Sequence, residues 1–172
     1  MAVLEGRQAG SPQVDCVVVL ADATSLERNC YLVSQALALG LPVVVALTLV
    51  DLAADRGISV DHAELASRLG CPVVPIVAPQ REGLDALADA IATAADQPPP
   101  PVPAVRPNDI EDADGHSPAA LEAMARYRWI EQTLDGVVTR SSPAQWSLEE
   151  RIDEVLTHRI AHLIGEHGAD PA

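Results

Sequence analysis

Apolar positions along the chain fall into two kinds of run. Residues 14–21 (VDCVVVLA), 42–48 (PVVVALT) and 72–77 (PVVPIV) are short, almost continuously apolar and rich in β-branched side chains, which predicts strands buried on both faces. Between and after them the apolar spacing lengthens to three and four. Leu26, Cys30, Val33 and Leu37 share one helical stripe that Gly40 ends, and Thr24 with Glu27 has the spacing of a capping box in front of it. Asp61 with Glu64 predicts the cap of a short helix that buries Leu65 and Leu69 and stops at Gly70. Residues 83–95 predict a third helix, with Leu84, Leu87, Ala88 and Ile91 inward, and residues 49–59 read as a loop containing Asp51 and the turn Arg56-Gly57.

Strand and helix alternate three times with short connections, so the fold class expected is α/β with a parallel, three-stranded sheet and flanking helices. Ligands of such sheets sit at the carboxyl ends of the strands. Residues 22–24, 48–51 and 78–82 occupy those ends here. At Gln97 the composition changes. Residues 97–118 hold seven of the chain's 14 prolines, four of them consecutive at 98–101, and then the acids Asp109, Glu111, Asp112 and Asp114. This predicts a polyproline-type linker followed by a solvated acidic stretch. A helix then opens with Ser117 as cap and Pro118 in its first turn, carrying Tyr127, Ile130, Leu134, Val137 and Val138 as its apolar stripe. A second opens at the capping box Ser147 to Glu150 and buries Ile152, Val155, Leu156, Ile160, Leu163 and Ile164. The organisation expected is therefore 1–96, an α/β segment; 97–117, a linker; and 118–172, a small helical segment.

Composition narrows the function classes. The chain has 172 residues and a net charge of −14, which argues against electrostatic binding of nucleic acid. All 11 basic residues are arginine. Without lysine there is no Schiff base and no phosphate-binding lysine of a P-loop. With no Phe, two Trp and two Tyr, the core must be built from Ala, Val, Leu and Ile. Cys16, Cys30 and Cys71 form no C-x-x-C pair and read as small buried side chains of a reducing cytoplasm. No secretory signal opens the chain, and the longest apolar stretch, 36–50, is broken by Gly40 and Pro42. A cytoplasmic chain without a membrane span is expected.

Few constellations carry chemistry. His158 and His162 stand four apart on the last predicted helix but lack the Glu of H-E-x-x-H, and they read as a solvated face; no metal site and no catalytic residue is predicted. Asp51 differs, because it follows the second strand at the ligand edge. A carboxylate there could accept both N–H donors of a guanine edge in a bidentate contact. The alternative is a helix cap or an ordinary loop acid.

Ordered motifs then point to a family. Residues 22–32, Asp22-Ala23-Thr24-Ser25-Leu26-Glu27-Arg28-Asn29-Cys30-Tyr31-Leu32, resemble the D-A-T-N-L-E-R-N-L-Y-L of ferrous iron transport protein B (FeoB). Leu41-Pro42-Val43-Val44-Val45-Ala46-Leu47 is similar to the L-P-V-V-V-A-L that leads into that family's N-M-x-D guanine motif. Arg56-Gly57-Ile58, Leu69-Gly70-Cys71-Pro72-Val73-Val74-Pro75 and Gly83-Leu84-Asp85-Ala86-Leu87 match in order and spacing. Arg126-Tyr127-Arg128-Trp129-Ile130 and Leu156-Thr157-His158-Arg159 resemble the helical domain and the approach to the first membrane helix.

The resemblance implies a partial G-protein-like sheet, the second half of a GTP-binding domain, from a transporter that couples GTP to ferrous iron uptake at the cytoplasmic face of the membrane. It implies GTP or GDP as ligand, and the rest of the G domain or the membrane domain as partners. Its guanine-binding positions fall on Thr48, where the family has Asn, on Asp51, and on Ala78, where Ser is usual. A hydroxyl cannot supply both the donor and the acceptor of an amide. The family's G-x-x-x-x-G-K-[ST], switch threonine and D-x-x-G find no counterpart in these residues, so neither phosphate nor Mg²⁺ machinery is expected, nor autonomous GTP hydrolysis. In the family's sheet order, residues 14–21 are then left as an apolar edge. The alternative to a transporter fragment is a non-catalytic acidic α/β module that docks on a partner.

Overall fold

The computed structural model describes residues 14–103, 105, 107, 115 and 117–141. The predicted helix over 147–164, with His158 and His162, and the acids 109–114 lie outside them.

Strands β1 (Val17–Asp22), β2 (Val43–Thr48) and β4 (Val73–Pro75) form one parallel sheet in the order β1-β2-β4. Register runs from Val17 opposite Val43 to Asp22 opposite Thr48, and from Val45 opposite Val73 to Leu47 opposite Pro75. The central strand β2 is buried from Val43 through Leu47, as its unbroken apolar run predicts. β1 is not buried on both faces. Val19 and Ala21 point into the core, while Val18 and Leu20 are 39% and 62% exposed. The reason is position: among the described residues β1 is the end strand of the sheet and only α1 (Leu26–Leu37) covers it closely.

Helix α1 lays Leu26, Cys30, Val33 and Leu37 on the sheet, all of them buried. Full burial of a leucine or valine of this kind stabilises by roughly 1.5–3 kcal/mol. The expected Thr24–Glu27 box is replaced by a tighter turn. The carboxylate of Asp22 accepts from the Thr24 backbone N–H and hydroxyl, both at 2.7 Å, and Ser25 makes no side-chain cap. The box loses because a 3-10 turn over Ala23–Ser25 intervenes between strand and helix. Helix α3 (His62–Leu69) keeps its cap, with Asp61 accepting from Glu64 N–H at 2.9 Å and Gly70 ending it at φ +69°.

The stretch 49–59 is not a loop. It forms helix α2 (Val50–Asp55), which buries Ala53, and strand β3 (Ile58–Val60). β3 pairs antiparallel with β5 (Val138–Arg140) near the far end of the described chain, Ile58 opposite Arg140. The apolar stripe assigned to one helix is likewise divided. α5 (Pro118–Leu134) ends before Gly136 at φ +71°, so Val137 turns into the core and Val138 joins β5. Tyr127, expected inward, is 48% exposed. On α4 (Leu84–Ala95) the face is shifted too: Ala94 is buried and Ala88 exposed, with Leu84, Leu87 and Ile91 half-buried.

Ser117 caps α5 by accepting from Ala120 N–H at 3.3 Å. The helix packs on α1 and α3. Ile130 is fully buried among them, and the buried Arg126 guanidinium donates to Ser34 Oγ at 3.0 Å and to Glu122 at 2.7 Å while lying over the Tyr31 ring at 5.6 Å. Arg68 on α3 donates to the carbonyls of Gln132, Thr133 and Asp135 at 3.2, 3.2 and 2.7 Å, supplying donors that the last turn of a helix otherwise lacks.

Candidate functional site

The three parallel strands deliver their carboxyl ends to one edge. Asp22 closes β1, Thr48 closes β2 directly opposite it, and beyond β4 the Ile76 N–H still donates to the Leu47 carbonyl at 2.8 Å. The edge therefore holds Thr48 and, two residues past Ile76, Ala78. Asp51 joins them through the turn that follows β2.

That turn is strained. Leu49 adopts φ +56°, ψ +32° as the N-terminal flank of α2, leaving Asp51 exposed in the first turn. Beyond β4, Val77 and Glu82 exchange backbone hydrogen bonds at 3.1 and 3.2 Å, which closes a small loop and presents Ala78, Pro79 and Gln80 outward. Arg81 in this loop has φ +59°. Leu49 and Arg81 are the two non-glycine residues with positive φ among the described residues, and both stand at this edge. A left-handed non-glycine residue costs of order 1–3 kcal/mol and concentrates at ligand sites. Spacing located Thr48 and Asp51 but gave no sign of Leu49, whose conformation is a backbone property.

Local chemistry at the edge is acceptor-rich. The Thr48 hydroxyl donates to the Ala21 carbonyl at 3.2 Å; its one proton is committed to the scaffold, so it can offer a ligand only a lone pair. Asp51 presents a solvated carboxylate suited to paired N–H donors. Thr48, Asp51 and Ala78 thus share one edge, with the Thr48 side chain turned to the scaffold and the other two exposed.

The thiols offer no competing chemistry. Burial pushes the Cys30 thiol up to about 12, with the nearby Glu27 carboxylate adding to the shift, and burial alone pushes Cys71 up to about 12. Burial also raises Cys16, partly offset by a backbone hydrogen bond at Val17. A thiol held protonated is neither nucleophile nor metal ligand near neutral pH. Among the described residues no three His, Cys, Asp or Glu side chains are grouped to hold a metal ion, and no helix is long and apolar enough to cross a membrane.

Comparison with known proteins gives one answer. The family model described as ferrous iron transport protein B matches residues 8–91. The Fe(2+) transporter FeoB of Legionella pneumophila (strain Paris) is 48% identical over 79 residues, covering 46% of this chain and 10% of the relative. Its Salmonella typhimurium (strain LT2) counterpart is 44% identical over 81 residues, covering 47% and 10%. The chain thus spans about a tenth of the length of these relatives. The solved cytosolic domain of L. pneumophila FeoB superposes with a TM-score of 0.66 at 27% identity, over 81% of this chain and 71% of that one. The T. maritima FeoB cytosolic domain in its GMPPNP form shares the fold, with a TM-score of 0.65 at 20% identity over 80% and 71%. The motifs from Asp22 to Leu87, the parallel sheet they build and these matches agree: over residues 8–91 the chain is similar to the ferrous iron transport protein B family.

Proposed function

We propose that this chain is part of the cytosolic GTP-binding domain of a ferrous iron transporter, acting at the cytoplasmic face of the membrane, with GTP-linked Fe(II) uptake a property of the complete protein. The organisation proposed is 1–96 as the G-domain segment, 97–117 as linker and 118–172 as helical segment. Thr48, Asp51 and Ala78 form what this chain holds of the guanine pocket, and GTP or GDP is its ligand in that setting. The observation that carries the reading is the turn after β2, where the left-handed Leu49 sets Asp51 on the ligand edge of a parallel sheet.

On its own the chain is not a GTPase. Phosphoryl transfer depends on positioning and on charge stabilisation by lysine, Mg²⁺ and phosphate-binding backbone. These 172 residues hold no lysine and no G-x-x-x-x-G-K-[ST]. In a single-turnover assay with Mg²⁺, GTP loss is expected to match the buffer control. Loss that scales with the amount of purified chain would overturn the reading.

A second reading, a non-catalytic acidic module that docks on a partner, is favoured by one observation. The end strand β1 exposes Val18 and Leu20, and such an edge is a template for another strand. The isolated chain is expected to self-associate or to bind a hydrophobic dye. A sharp monomer in sedimentation with no dye binding would remove this reading.

A further inference from the structure

The parallel ladder decides which backbone groups of β1 are already used. Val17 N–H donates to the Pro42 carbonyl at 2.8 Å, and the register with β2 runs unbroken to Asp22. In a strand the N–H and C=O of one residue point to the same side, and the side alternates along the chain. Val17, Val19 and Ala21 therefore bond to β2. The polar backbone groups of Val18 and Leu20 point away from the sheet, where no strand lies among the described residues. The side chains of the same two residues are the exposed ones.

Sheet edges are ordinarily guarded by lysine, proline, inward charges or a bulge. From Cys16 to Ala21 the chain holds no charged residue and no proline, and the register shows no bulge. The other edge of the sheet is guarded. β4 has three residues. The Pro72 carbonyl accepts from Val45 and the Ile76 N–H donates to Leu47, both at 2.8 Å, so residues 72, 74 and 76 turn to β2. Val73 and Pro75 are left facing outward, and Pro75 has no N–H to give.

We propose that β1 pairs antiparallel with β1 of a second copy of this chain, centred on Val19, so that two three-stranded sheets become one. The inference deepens the reading of β1 as a pairing edge and rests on it. Edge chemistry and register select the second copy. A β1–β4 contact between copies, which would propagate from chain to chain, meets Pro75, whereas β1 against β1 closes on a two-fold axis. Outward backbone groups must meet outward backbone groups, so the axis passes through Val18, Val19 or Leu20. Through Val18 it sets Leu20 against Cys16, and through Leu20 it sets Val18 against Asp22. Through Val19 it sets Val18 against Leu20 twice, so both exposed apolar side chains of each copy are covered by the other. Asp22 then stands at the outer end of the ladder opposite Cys16, and no two acids within β1 face each other.

The test is sedimentation equilibrium of the full 172-residue chain. Its mass is expected to rise with concentration from 18.1 kDa toward twice that value, and association should tighten as salt is added, because two chains of net charge −14 repel. Hydrogen exchange at the Val18 and Leu20 amides should slow as the dimer forms. Leu20→Lys should weaken association about tenfold or more, and Met124→Lys, at an exposed apolar position on α5, less than about twofold. Circular dichroism checks that both variants keep the fold. On a Cys16→Ser background, Val18→Cys mixed with Leu20→Cys should cross-link at least about threefold faster than either variant with itself, since the mixed pair is directly opposite and the self-pairs are diagonal. Monomer mass up to about 1 mM, equal weakening by the two lysine variants, faster self-linking than mixed linking, or slow exchange of the two amides in a monomer would each overturn the proposal. A monomer that binds a hydrophobic dye overturns the β1–β1 pairing alone and leaves β1 as an edge for a different partner.

Discussion

Replacing Gly83 with alanine is expected to destabilise the domain by about 3 kcal/mol or more, lowering its melting temperature by roughly 10 °C. Gly83 flanks the start of α4 at φ +77°, and a Cβ there would lie 2.2 Å from the Pro75 carbonyl oxygen, 3.1 Å from Ile76 Cγ2 and 3.3 Å from Ile76 Cα. The nearest obstacle is backbone at the end of β4, so relief requires moving either the strand or the helix. The same glycine directly follows Glu82, which closes the loop that presents Ala78, so the change disturbs the ligand edge as well as the fold. Gly40→Ala is the control. Gly40 also has positive φ, at +67°, but nothing lies within 4 Å of its missing Cβ, so only the conformational cost of about 1 kcal/mol remains. Thermal melts of the two variants separate the effects. Equal losses would contradict the close approach of α4 to β4.

Ile130→Ala is expected to cost about 2–5 kcal/mol. Ile130 is fully buried where α5 meets α1 and α3, and truncating it leaves a cavity among the surrounding core side chains. Because Arg68 and Arg126 tie the same helix to α3 and α1, α5 should melt with the sheet in one transition. Tyr127→Ala, at a half-exposed position against Tyr31, should cost less than about 1 kcal/mol. Two calorimetric transitions, only one of them moved by Ile130→Ala, would show that α5 folds apart from the sheet.

The elements read correctly from sequence are those whose cause is local. The stripe Leu26–Cys30–Val33–Leu37 and the run 43–47 carry their own periodicity, and Asp61 and Ser117 cap within three residues of themselves. The errors share a different cause. β3 exists because β5 pairs with it, and three residues with a distant partner leave no local signature. Val137 and Val138 fit a helical stripe arithmetically, but Gly136 breaks the helix first. The outward faces of Val18 and Leu20 follow from β1 lying at the end of the sheet, which composition does not record. At the candidate site the spacing from Thr48 to Asp51 was legible, whereas the left-handed Leu49 that positions Asp51, and the commitment of the Thr48 hydroxyl to Ala21, are backbone and packing facts.

The central proposal is that Thr48, Asp51 and Ala78 are what this chain holds of a guanine pocket, without the groups that grip phosphate. Titration of a fluorescent GDP analogue into the wild-type chain, Thr48→Asn and Asp51→Ala tests it most directly. An amide at position 48 would contribute on the order of 1–3 kcal/mol, up to about a hundredfold in affinity. The charge-assisted contacts of a P-loop contribute more. All three proteins are therefore expected to show no saturable binding at micromolar nucleotide. Saturable micromolar binding by the wild type that Asp51→Ala abolishes, or binding restored by Thr48→Asn alone, would contradict the account.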